Sequence, residues 1–142
     1  MDTEKAALRL IARAEQCTNG LARKLERRGH DSASISEVIS RLTEQKLLDD
    51  NRYARLWLQS RLRLTRSPLR LLSSLCAKGI DRNAAQTALK TVLNEETEAA
   101  LLARFAKKHR NKTHLKYLLK SEGFSSEAIQ QYLDSPVFNH LN

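Results

Sequence analysis

The chain is 142 residues long, with 25 Lys and Arg against 16 Asp and Glu, a formal net charge of +9. Its apolar fraction of 41% supports a core and excludes a disordered polyelectrolyte. Leu and Ala together number 40 against 8 Val and Ile, with 4 Gly and 2 Pro, which suits helices and argues against an all-β or α/β fold.

No apolar run approaches the ~20 residues of a spanning helix. The start, Met1-Asp2-Thr3-Glu4-Lys5, carries acids where a signal peptide carries basic and apolar residues. Cys17 and Cys76 lie 59 positions apart, neither a disulfide framework nor a zinc spacing, and they fit a reducing cytosol.

In chain order, a first helix is expected over about 4–16. A second follows from Thr18, the better cap beside Cys17, with Leu21 and Leu25 on one face. Gly29 ends it in the left-handed conformation, and Asp31 caps a third helix that turns Ile35, Val38 and Ile39 inward. Asp49 and Asp50 open the next helix, which reaches about residue 65, and their position makes them capping residues rather than a catalytic pair. Ser67 and Pro68 then give an N-cap and a first-turn proline, followed by Leu71, Leu75, Gly79, Asp81, Ala85, Ala88 and Leu89. Asn94 opens a helix over 95–109. Asn111 caps another, which carries Leu115 and Leu119 to Gly123, and Ser125 precedes Ile129, Tyr132 and Leu133.

These passages repeat one gapless pattern anchored on Gly29, Gly79 and Gly123. Leucines stand eight and four places before each glycine, a capping residue two after, and apolar residues six, nine and ten after. The chain therefore reads as one all-α domain of three tandem three-helix repeats, at about 4–48, 49–93 and 94–135, with a short tail. Pro136, in the slot of Leu42 and Val92, cuts the third repeat short. Stacked repeats predict an elongated, curved array without one central core.

The positive charge is concentrated. Residues 51–80 and 99–121 each hold seven Lys and Arg and no acid. At 100° per residue Arg52, Arg55, Gln59, Arg63 and Arg66 share an arc of roughly 80°, opposite Tyr53, Ala54, Trp57 and Leu58. Arg70 extends the first basic stretch; Lys107, Lys108, Lys112 and Lys116 form the second. Surface lysines usually sit among acids, and two acid-free stretches in one basic chain point instead to an acidic partner. Arg61 falls on the apolar side, where it either snorkels outward or meets a buried acid. Trp57, also on that side, reads as core rather than as a base-stacking platform. His109 and His114 lie on different helical faces with no acid near, so no metal is expected; there is no phosphate loop and no nucleophile beside a base. Nothing suggests an enzyme or a cofactor.

Three stretches resemble a known family. Leu47-Leu48-Asp49-Asp50-Asn51-Arg52-Tyr53-Ala54 is similar to the L-x-D-D-x-R-F/Y-A element of the RecX recombinase regulators. Pro68 through Leu75 to Lys78-Gly79-Ile80, with Arg70 and Leu71, resembles that family's Pro-x-R-I-x-x-x-L-x-x-K-G-I element. Leu21-Ala22-Arg23-Lys24-Leu25 to Gly29 resembles its L-x-x-K-L-x-x-x-G element. The chain departs from the family at Thr65-Arg66-Ser67, in place of a Gly-rich approach to the proline, and at Ala14-Glu15-Gln16-Cys17, in place of Arg-Glu-His-Ser. The resemblance implies a non-catalytic, monomeric, cytoplasmic bacterial protein that binds RecA nucleoprotein filaments and dampens their ATPase, strand exchange and co-protease activities. Its contacts with single- and double-stranded DNA would be weak and made through phosphates. The alternatives are a sequence-independent DNA- or RNA-binding helical protein, which the charge suits, and a helical adaptor with an incidental basic surface.

Overall fold

A computed structural model describes residues 2–64, 67–109 and 113–136, with the side chains of residues 95 and 96 excepted. The described residues contain nine α-helices and no strand: α1 (Thr3–Arg13), α2 (Thr18–Arg27), α3 (Ser32–Glu44), α4 (Asp50–Arg61), α5 (Pro68–Ala77), α6 (Arg82–Val92), α7 (Glu95–Lys108), α8 (Leu115–Ser121) and α9 (Ser126–Leu133). A single 3-10 turn, Leu62–Leu64, extends α4. Helix packing is strongest within the triplets α1–α3, α4–α6 and α7–α9.

Each triplet is punctuated the same way. The glycine N–H and the N–H that follows it bond back to the closing turn of the helix. Gly29 reaches the Glu26 carbonyl and His30 that of Leu25; Gly79 and Ile80 reach Cys76 and Leu75; Gly123 and Phe124 reach Lys120 and Leu119. All three glycines hold φ between 91° and 98°, the left-handed region a β-carbon disfavours. Asp31, Asp81 and Ser125 then each accept from the backbone N–H three residues on, opening α3, α6 and α9.

Two helix starts, those of α2 and α8, differ from expectation. Thr18 is no side-chain cap: α2 begins after Cys17 with no cap bond from its own side chain, and the Thr18 N–H is taken instead by Asp50 Oδ1 at 2.8 Å. In the third repeat α8 begins only at Leu115, behind His114 in a left-handed conformation, and Asn111 lies outside the described residues.

The repeats join by one recurring contact. Ten residues before its own glycine, each of the first two units offers a residue to the glycine of the next. Asn19 donates through Nδ2 to the Lys78 carbonyl at 3.3 Å, and its side chain lies 2.5–2.7 Å from where a β-carbon on Gly79 would stand. Leu69 donates its backbone N–H to the Glu122 carbonyl at 3.0 Å, and lies 3.0 Å from a β-carbon built on Gly123. Gly29 has nothing within 4 Å of that point.

The interior is divided. Ala7, Leu10, Leu21, Leu25, Ile35, Val38, Leu42 and Leu48 make a first core within the first unit. The second and third units share a larger core through Leu58, Leu71, Leu75, Leu101, Leu102 and Leu119, joined by Cys17. The first unit's core thus lies within that unit, apart from Cys17, which packs into the larger core. The accessible surface is 9231 Å² for 16.2 kDa. A compact protein of that mass would expose about 7,500 Å², so the fold is extended.

Candidate functional site

Helix α4 carries two of the sequence-predicted basic residues, Arg52 and Arg55, with Arg63 on the turn that extends it, and the Asp49-Asp50 pair explains how it is held. Asp49 caps α4 itself, accepting from the N–H groups of Asn51 at 3.0 Å and Arg52 at 3.1 Å. Asp50 reaches back to the start of α2, as above, so neighbouring carboxylates anchor two helices of different units. Charge at both helix starts is favoured by the exposed N–H groups there.

Arg52 is not part of an open row. Its Nε bonds Glu15 at 2.6 Å, and its terminal nitrogens bond the carbonyls of Lys46 at 3.1 Å and Leu47 at 3.3 Å. Those carbonyls belong to the α3–α4 turn, where Lys46 holds φ 61° without a glycine. Arg52 therefore ties the first unit, the turn and α4 together, and has few donors left for a ligand.

Arg55 and Arg63 are exposed, and neither has a side-chain hydrogen bond or ion pair among the described residues; Arg66 lies outside them. Arg55 borders a groove of about 400 Å³ between α4 and α6, lined also by Asn51, Asn83, Ala84, Thr87, Ala88 and Thr91. Ala84 and Ala88 let the helices approach, while Asn83, Thr87 and Thr91 stand at four-residue spacing along the lip. This polar stripe is not among the sequence-predicted site residues. Its i, i+4, i+8 period was the available signal.

Arg70 is 70% exposed at the start of α5, with a long 3.5 Å approach to Glu122. Lys107, Lys108 and Lys116 are exposed at the end of α7 and on α8, and Lys112 lies outside the described residues. Arg104 is drawn out of this second cluster, since it donates to the Leu62 carbonyl at 2.7 Å and fastens α7 to the end of α4.

Arg61 meets no acid among the described residues; its guanidinium carbon stands 5.4 Å from the centroid of the Trp57 ring. Trp57 itself is only half buried. Among the described residues no cluster of three metal-ligating side chains occurs. Burial pushes the pKa of the Tyr53 and Tyr132 hydroxyls above the ordinary tyrosine range, and the hydrogen bonds from Ser34 hold that of the Asp31 cap below the usual carboxylate range.

Two family models match the units just described: the first three-helix domain of RecX over residues 5–42 and the second over residues 49–89. A regulatory protein RecX from Prosthecochloris aestuarii is 32% identical, with 97% of each chain covered. The chain belongs to the RecX family. Another RecX, from Treponema pallidum, is 31% identical over 97% of this chain and 79% of its own. The RecX of Halorhodospira halophila is 41% identical over 75 residues, 53% of this chain, and that match spans about half of the relative, 47%. Two solved RecX structures share the fold. One crystal structure of regulatory protein RecX aligns with a TM-score of 0.79 at 21% identity over 94% of this chain and 70% of its own. That of RecX from Lactobacillus salivarius aligns with a TM-score of 0.73 at 23% identity over 98% and 94%. No helix among the described residues is long and apolar enough to cross a membrane.

Proposed function

We propose that this protein is a non-catalytic regulator that binds RecA nucleoprotein filaments and inhibits their ATPase, strand-exchange and co-protease activities in bacterial DNA repair. Family membership across the whole chain is the observation that carries this reading. The extended array, with Arg55, Arg63, Lys107, Lys108 and Lys116 exposed and unpaired among the described residues, supplies a surface suited to acidic protein and to phosphate. Binding through such groups needs no cofactor.

A second reading, sequence-independent nucleic-acid binding, draws on the α4–α6 groove, where Arg55 stands among amides and hydroxyls that hydrogen-bond phosphate and sugar oxygens. Co-sedimentation at about 0.15 M salt separates the two, because bare phosphate contacts weaken steeply with salt. The protein should pellet with RecA filaments on single-stranded DNA and remain soluble with the same DNA lacking RecA. Equal pelleting in both would favour plain DNA binding, and none in either would overturn both readings.

A further inference from the structure

Around the one tryptophan of the chain the second unit forms a recess of about 340 Å³, lined by Trp57, Arg61, Ser74, Ala77 and Lys78. Arg61 and the Lys78 ammonium stand 5.4 and 5.8 Å from the centroid of the same ring. A single cation over an exposed aromatic ring is common on protein surfaces. Here two cations stand on one ring, and no acid lines the recess. Neither side chain makes a hydrogen bond or ion pair among the described residues. Trp57 Nε1 and Arg61 Nε are moreover shut off from solvent with no acceptor among the described residues. Buried donors without partners are rare and costly, and here both belong to residues that line one recess.

We propose that this recess is an anion-binding site that takes a carboxylate side chain, Asp or Glu, from an acidic segment of a protein partner. The guanidinium of Arg61 can pair with both carboxylate oxygens, and the Lys78 ammonium adds a point charge at the rim. The Ala77 methyl supplies an apolar wall for the methylene stem of the incoming side chain. A nucleic-acid strand fits less well. Trp57 and Arg61 lie roughly 120–160° round α4 from Arg55, so a backbone tracking Arg55 turns away from the recess. The space over the ring where a base would stack is held by the two cations. This inference goes beyond the filament reading and does not require that RecA be the partner.

The experiment uses the emission of Trp57, the only tryptophan in the chain, on the full-length protein at about 0.15 M salt. Three probes are titrated: the peptide acetyl-Ser-Glu-Ser-Glu-Ser-Glu-amide, its Gln counterpart, and an oligothymidylate of similar charge. The Glu peptide should produce a saturable change in emission that neither other probe produces. Lys78→Gln and Arg61→Gln should each weaken the apparent affinity about tenfold, and Lys78→Arg should restore most of it. Arg9→Gln, exposed on α1 in the first unit, should leave it unchanged. Circular dichroism confirms that each variant is folded, and Lys78→Gln carries the test if Arg61→Gln is not. The proposal is overturned if the Glu peptide leaves the emission unchanged, if the change survives both Gln variants, or if the oligothymidylate alone produces it.

Discussion

Three glycines in one sequence pattern have unequal surroundings. Gly29 needs only its left-handed backbone, whereas Gly79 also receives Asn19 at a distance no β-carbon tolerates. Gly29→Ala should therefore cost about 1 kcal/mol from backbone conformation alone. Gly79→Ala should cost clearly more, because the β-carbon displaces Asn19 and strains its bond to the Lys78 carbonyl. Chemical denaturation of the two variants checks this, and equal losses would mean that the junction between the first two units adds little. His30 shows the same dependence on setting. It occupies the slot held by Ile80 and Phe124 in the other repeats, and is buried with Nδ1 2.8 Å from the Thr3 hydroxyl oxygen. A polar side chain there is accommodated by a partner from α1, which the repeat pattern does not reveal.

At the scale of the helix, α4 combines a fastening residue with exposed ones that look equivalent on a helical wheel. Charge reversal separates them. Arg52→Glu removes the bonds to Glu15 and the α3–α4 turn and sets two carboxylates together, so it should lower the melting temperature by several degrees, about 1–2 kcal/mol for a chain of this size. Arg55→Glu should change it by no more than about 0.5 kcal/mol, as for an unpaired surface group. Differential scanning calorimetry of both would show it, and matching melting temperatures would refute the fastening role. Much of this was legible in the sequence, because helix ends are written locally: Gly29, Gly79, Gly123, Asp31, Asp81 and Ser125 act within three or four residues of themselves. The partners of Arg52 and Arg104 were not legible. Glu15 lies 37 positions from Arg52 and the Leu62 carbonyl 42 from Arg104, and only the docking of units brings each pair together. The same holds for Trp57: its periodicity places it on the packed side of α4, but the open recess depends on α5 crossing beside it. The groove stripe Asn83, Thr87 and Thr91 was present as a period, but small polar residues on a surface helix give no chemical signal until a facing helix makes them a wall.

For the whole molecule, the divided interior predicts divided stability. Leu25 is fully buried in the first core, so Leu25→Ala should cost about 2–5 kcal/mol, borne by the first unit. Amide hydrogen exchange should then quicken across α1–α3 while α5 and α7 keep their protection, and uniform acceleration would show one cooperative body instead. The same division places the exposed cations of α4, α7 and α8 on the larger, jointly packed pair of units, a firm platform for a partner. The measurement that tests the central claim most directly is RecA ATPase on single-stranded DNA, with this protein added at or below stoichiometry. The account predicts marked inhibition by the wild-type chain. Arg55→Glu/Arg63→Glu should lose most of it while keeping full helicity, since like charges against an acidic partner cost several kcal/mol in lost pairing and repulsion. A folded double variant that inhibits as well as wild type would move the contact to Lys107, Lys108 and Lys116, and a wild-type chain that leaves RecA ATPase untouched would contradict the account itself.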